Sequence, residues 1–352
     1  MRLAAIFFVF VISSACGGAP TAPSAVSPTL STSMFAASGV PADVSALRGV
    51  TGQVTNAVSG AGAPGVAVRI QDVGDVTTNA NGEFILESEA LDGRYRVIAS
   101  GAGVVERQTT LVFPGGHAVL PLIPASFNML AYDEMVRQFG GGAALKRWLQ
   151  PPALIVEMSL LDREASIDPS GVPGETAVAS AQQQSETAVA EVVDHLTRAL
   201  PLLTGGAFTA FSAVSRQTTD AGSPVGLDQT GAITVVRYPP AGGQCRGYGL
   251  VAYFEDFEVA SGRVYLETCS DASLAAHELG HALGYGHVAA AASVMKATVS
   301  SFVTDFDRQA TAIAYQRPPG NRAPDSDPDA FTVNQPLRAP ARGFTTTVGP
   351  VP

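Results

Sequence analysis

Residues 277–287 read His-Glu-Leu-Gly-His-Ala-Leu-Gly-Tyr-Gly-His and hold three of the chain's five histidines. On a helix of 3.6 residues per turn, His277 and His281 fall about 40° apart around the axis, so both imidazoles face one way. Two neutral imidazoles on one face supply half of a tetrahedral zinc site. His287 does not fit a continued helix, where it would stand about 9 Å further along the axis and far around the cylinder. The helix therefore has to stop between His281 and His287, and Gly284 sits where a left-handed C-cap would end it. The string encodes a helix, a stop and a return of the chain to the metal. Glu278, beside the first histidine, is placed to act as a general base on water.

These residues match the pattern HExxHxxGxxH, and Ser293-Val294-Met295 follows, with the methionine eight residues after His287. The segment resembles the metzincin zinc peptidases on that evidence, the matrixin branch in particular. The resemblance implies one catalytic Zn2+ held by His277, His281 and His287, with Glu278 as general base. It also implies that Met295 forms the methionine turn that supports the ligands from below. The activity that follows is endoproteolytic hydrolysis of a polypeptide substrate by a zinc-activated water. Matrixins follow the methionine with Tyr-Pro, whereas Lys296-Ala297 stands here, which leaves the wall of the substrate pocket unassigned. A structural Ca2+ site, a latency device and an oligomeric state have no signature in the chain. Two other readings use the same centre: a surface-anchored binding protein that has lost activity, and a zinc amidase acting on cell-wall peptides.

The chain's 352 residues are enough for two or three domains with cores of their own. Its net charge is −10, with only 15% of residues charged and no basic run, which excludes nucleic acid as a natural partner. At the N-terminus, Arg2 precedes the apolar run Leu3 to Ile12, which is too short to span a bilayer. Ser13-Ser14-Ala15-Cys16 then resembles a bacterial lipobox, with Ser13 where leucine is usual. This predicts a signal peptide over 1–16, lipidation of Cys16 and membrane association through that anchor. The alternative is ordinary cleavage near Ala15 and secretion. Both place the mature protein outside the cytoplasm, as a bacterial outer-membrane or cell-surface lipoprotein or as a secreted protein. In that oxidising setting Cys245 and Cys269 form an even pair. A disulfide between them would stabilise by about 3 kcal/mol in the chain-entropy model; the other possibility is a free thiol that ligates zinc as a latency switch.

Residues 17–46 are rich in Ala, Ser, Thr, Pro and Gly and read as a flexible linker. From 47 to 124 short alternating runs appear, such as Val66, Val68 and Ile70, or Tyr95, Val97 and Ala99, separated by turn signals. Asn81-Gly82 is a hairpin cue, and the pattern suits a small antiparallel sandwich. The order Gly52-Gln53-Val54, Gly65 to Val68, Thr77 to Phe84 and Gly93 to Val97 resembles the carboxypeptidase regulatory-like domain. That resemblance implies a non-catalytic sandwich, and His117 reads as solvated in a loop.

Residues 125–152 form a helical lead-in that includes the lone Trp148, and 153–316 the metzincin-like domain. Within the latter, periodicity predicts a strand from Ala153, a helix over 175–203 carrying a solvated or packed His195, and strands near 207–214, 233–238, 249–254 and 263–267. The zinc helix should begin near Asp271 or Ser273, and a closing helix should run from Thr304 to Tyr315. Residues 317–352 are Pro-rich and read as a disordered tail. The expected fold is multi-domain: an N-terminal all-β sandwich plus a C-terminal α+β metzincin-like zinc peptidase domain.

Overall fold

The alternating runs of the N-terminal half become seven strands: β1 (Gly49–Asn56), β2 (Ala67–Ile70), β3 (Gly74–Thr77), β4 (Glu83–Glu87), β5 (Gly93–Ser100), β6 (Arg107–Phe113) and β7 (Ala118–Leu122). In this computed structural model the described residues are 49–329, apart from 89–90, 114–116, 140–141, 168–172, 175, 244 and 300, together with 345–348. The expected signal peptide and linker, with Cys16, lie outside them. One sheet has the order β4-β1-β7 and the other β3-β2-β5-β6. Val50, Val54, Val68, Ile70, Val97, Leu120 and Leu122 point between the sheets and form one core, as period-two alternation requires.

Two details differ from expectation. The sandwich is not wholly antiparallel, because β1 pairs β7 in parallel. Seven strands that reverse direction at each step bring the first and last back to the same sense. Asn81-Gly82 does form a turn, with Gly82 at φ +77°, but it joins β3 and β4, which belong to different sheets.

The second half contains α1 (Met129–Val136), β8 (Ala153–Leu161), α2 (Arg163–Ser166), β9 (Ala179–Gln183), α3 (Glu186–Leu203), β10 (Val214–Gln217), β11 (Ala232–Tyr238), β12 (Gly247–Tyr253), β13 (Val259–Glu267), α4 (Ala272–Ala282), α5 (Asp305–Tyr315) and β14 (Thr345–Val348). Its sheet has the order β10-β8-β11-β13-β12-β14, with β9 beside β8. Strands β8, β10, β11 and β13 run parallel, and β12 runs antiparallel to β13. Strands β11, β12 and β13 are buried along their whole length, the mark of a sheet covered on both faces. Ile233, Val235, Val264 and Leu266 meet α3 and α4 in the main core. Tyr238, Tyr248, Leu250 and Tyr265 pack on the opposite face.

The long helix begins at Glu186 rather than 175, because Ser185 caps it by accepting from Ala188 N–H, and the preceding residues form β9. The strand expected over 207–214 is confined to 214–217. Phe208 and Phe211, spaced by three rather than two, instead turn into the main core. The lead-in helix is likewise short, ending at Val136.

The largest departure concerns the tail. Residues 317–329 are packed against the body, with Arg317, Asn321 and Asp325 buried. Arg317 makes a two-pronged pair with Asp325, Nε–Oδ1 2.8 Å and Nη2–Oδ2 2.7 Å. Asn321 donates to Asp325 (3.0 Å) and Asp327 (2.7 Å) and accepts from Arg137 (2.6 Å). Asp327 in turn holds Arg107 of β6 at 2.9 Å, and Arg107 and Arg317 both donate to the Pro121 carbonyl of β7. The proline content disguised a segment whose polar side chains are the counter-ions of buried arginines. Sandwich and α+β body therefore keep separate cores but meet through an internal ion network, within one compact unit; the rest of the expected tail, 330–344 and 349–352, lies outside the described residues.

Burial alone would raise the Asp325 carboxyl, but attraction and hydrogen bonds from Arg317 outweigh it and hold its pKa below the ordinary value. Its stabilising contribution is thus complete above the unfolded-state value of about 3.9 and is lost as pH falls through the lower folded value. Asp325→Ala leaves the buried Arg317 without its paired carboxylate and should cost about 3–5 kcal/mol of unfolding free energy at neutral pH. Denaturant titration checks this, and a change below about 1 kcal/mol would mean the pair behaves as if exposed.

Candidate metal centre

Helix α4 is buried from Leu274 to Ala282. Its N-cap Asp271 accepts from Leu274 N–H at 2.9 Å. Beyond the C-cap Leu283, Gly284 takes φ +102°. The Tyr285 N–H bonds Gly280 O at 3.0 Å and the Gly284 N–H bonds His281 O at 2.9 Å, the paired bonds of a Schellman stop. Trp148 Nε1 donates to Ala282 O at 3.1 Å and so satisfies a carbonyl at the helix end.

The helix lies unusually close to β12. A Cβ on Gly249 would stand 2.4 Å from both the Glu278 carbonyl oxygen and His281 Cβ, and one on Gly247 would strike the Glu278 side chain. Only glycine at these alternate positions lets the helix come this near.

The stop returns His287 to the other two histidines. The three Nε2 atoms form a triangle with sides of 3.1, 3.2 and 3.2 Å. Two of the rings are fixed from behind: His277 Nδ1 lies 2.7 Å from Val294 O, and His281 Nδ1 lies 2.7 Å from Tyr285 O. A carbonyl only accepts, so each Nδ1 carries the proton and each neutral ring presents an Nε2 lone pair. Burial keeps these rings neutral. It pushes His277 down to about 4 against the opposing pull of the Val294 carbonyl, sends His281 well below its usual value, and lowers His287. The unprotonated nitrogens of His277 and His281, 3.1 Å apart, repel one another unless a cation sits between them. The triangle also fits an ion: Zn–N bonds of 2.0–2.1 Å at tetrahedral angles put two ligand nitrogens about 3.3 Å apart.

Residues from distant parts of the chain support the cluster. Phe139 stacks on the His281 ring with centroids 5.2 Å apart. Gly286 N–H donates to Met135 O at 2.7 Å, and Glu134 Oε2 accepts from Ala289 N–H (2.8 Å) and Ala290 N–H (3.0 Å). Met295 is fully buried beneath Gly280, where a Cβ would stand 2.3 Å from its Sδ. Its turn is tied down by Asp307, whose carboxylate accepts from Ser293 Oγ, from Val294 N–H at 2.9 Å and from Thr304 N–H at 2.8 Å. Asp307 thus fixes the turn whose carbonyl orients His277. Its only local sign in sequence is the Thr304-x-x-Asp307 capping box.

Glu278 is 2% exposed, and burial holds its carboxyl well above the ordinary value. Among the described residues none donates a hydrogen bond to that carboxylate. Cys245 and Cys269 form a disulfide, with Cα atoms 5.8 Å apart. It joins the approach to β12 to the approach to α4. Beside it, Glu267 accepts from Arg246 N–H at 3.1 Å and Ala241 N–H at 3.2 Å, fixing the loop that leads to Gly247. Among the described residues, Cys245, Cys269 and Glu267 are the other group of ligand-type side chains this close together, and bonding between its two sulfurs occupies them. His117 is exposed on the sandwich and His195 half-buried on α3, both outside the cluster.

Residues 49–120 match the carboxypeptidase regulatory-like domain family. The sandwich is similar to that domain. The match covers the sandwich, 72 of the chain's 352 residues, and nothing of the histidine cluster. A comparison with curated proteins finds no match for the chain. Among solved structures, a 5-hydroxyisourate hydrolase from Klebsiella pneumoniae is 20% identical over 22% of this chain and 84% of its own, with a TM-score of 0.19. A likeness that slight carries no argument.

Gly249→Ala tests whether close approach of helix and strand sets the site. Intrinsic backbone preference favours alanine by about 0.5–1 kcal/mol, whereas the clash is with backbone and should cost about 1–3 kcal/mol. Net destabilisation in a thermal melt is expected; a stabilised variant would show that the contact is slack.

Proposed function

We propose that the chain is an exported zinc-dependent metalloendopeptidase, with His277, His281 and His287 as ligands and Glu278 as general base. The observation that carries this reading is the triangle of three neutral Nε2 donors, which matches the chemistry and size of one zinc ion. Three histidines leave one coordination position open, the pattern of a catalytic rather than a structural site. Zinc bound there would supply Lewis acidity, polarising a carbonyl and acidifying water toward neutral pH.

The remaining steps fall to the chain's own groups. Glu278 sits one residue from a ligand, with a carboxylate that no described residue donates to and a pKa that burial raises, and carboxylates are established general bases. It takes a proton from the attacking water as the new C–O bond forms, then delivers it to the leaving amine as the peptide C–N bond breaks. Gly247 packs against its side chain and limits where the carboxylate points. The Val294 and Tyr285 carbonyls hold the imidazole tautomers, and such partners typically change metal affinity 10–100-fold when lost. Met295 supports the cluster from below without reaching substrate.

The Cys245–Cys269 disulfide supports an oxidising compartment, in line with the export signal and with lipidation at Cys16.

Purified full-length protein should bind zinc at one equivalent and cleave casein. Glu278→Ala should keep the zinc yet lose about 10²–10⁴-fold in kcat, the usual worth of a general base. His281→Ala should lose the metal. Turnover indifferent to Glu278→Ala would sink the mechanism, cleavage of peptidoglycan fragments alone would favour the amidase, and zinc without turnover on either would leave a binding protein.

A further inference from the structure

Strand β12 has two edges. One pairs β13, and the other pairs a segment from far along the chain, β14, with the antiparallel register Leu250↔Val348, Val251↔Thr347, Ala252↔Thr346 and Tyr253↔Thr345. Without β14, β12 would be the last strand of the sheet. Its sequence, Gly-Tyr-Gly-Leu-Val-Ala-Tyr, has no charge and no proline, and only a register shift at Ala252/Tyr253 interrupts it. An open edge of that composition is a template for any extended chain.

The same strand borders the candidate centre, since Gly247 touches the Glu278 side chain and Gly249 its carbonyl. At 3.4 Å per residue, the stretch covered by β14 begins about 10 Å from Gly247. An extended polypeptide reaching Glu278 along β12 would run into that covered stretch.

We propose that Thr345–Val348 is an internal occupant of this edge, and that it competes with an extended polypeptide for backbone pairing with β12. The proposal rests on the peptidase reading for the identity of the competitor. Pairing on β12 itself is independent of it. Four residues provide few backbone bonds, so the segment is displaceable and acts as a brake on binding. Apparent affinity for substrate is reduced by the fraction of molecules in which the edge is covered.

Backbone N–H groups of an antiparallel strand alternate between the partner and the open side, so two adjacent prolines remove at least one bond to β12 whichever way the strand faces. The test variant is therefore the full-length chain with Thr346→Pro and Thr347→Pro. Two measurements are made on it. In the first, a fluorescent peptide of sequence Gly-Phe-Thr-Thr-Thr-Val-Gly-Pro is titrated by anisotropy against the variant in a Glu278→Ala background, with Glu278→Ala alone as reference. In the second, KM and kcat for a casein-derived peptide are compared with and without the prolines.

The expected result is peptide binding at least about tenfold tighter to the proline variant, with KM lowered about 3–30-fold and kcat unchanged. Equal binding to both forms, or to neither, would overturn the occupancy of the edge. Tighter binding with an unaltered KM would overturn the competition with substrate. Tighter binding with no turnover by either form would uphold the edge as a strand-accepting site and remove the peptidase reading, so the two failures are told apart.

Discussion

Two backbone carbonyls decide what the centre of this molecule is. By accepting from His277 and His281 at Nδ1, Val294 O and Tyr285 O turn both Nε2 lone pairs inward. Tyr285 is available for this because the chain reverses at Gly284, and Val294 because Asp307 grips the turn beneath it. The helix stop, the methionine turn and the closing helix are thus one device for setting imidazole tautomers. The glycines of β12 belong to it too, because they let the helix settle against the sheet.

How much of this the sequence reveals depends on separation along the chain. The triangle of histidines spans eleven residues, so helix geometry and one glycine suffice to anticipate its shape. Alternation likewise marks β2 and β5, where one face is buried and the other wet. Strands β11 to β13 are buried on both faces and lose that signature, yet their runs of Val, Ile, Leu and Tyr still announce them.

What escapes notice is support from afar. Trp148 meets Ala282 across 134 residues and Glu134 meets Ala289 across 155, and no local pattern records such meetings. The segment 317–329 misleads in the other direction. Its prolines and aspartates look like solvated chain, because the arginines that need those carboxylates stand in other elements. Composition shows a charge without showing whether its partner is water or another side chain.

The ion network has a consequence for assembly. Arg107 finds its carboxylate 220 positions later, and the Pro121 carbonyl meets Arg317 after 196. The sandwich can collapse early on its own apolar core, since strands that pair within 75 residues need nothing further along. Its flank, however, carries an arginine with no counter-ion until Asp327 has been synthesised. Contacts of such high sequence separation form late, after their loop-closure entropy has been met. A chain halted before that point would present a half-made, positively charged seam where the finished one is sealed, a distinction that a chaperone or protease could read.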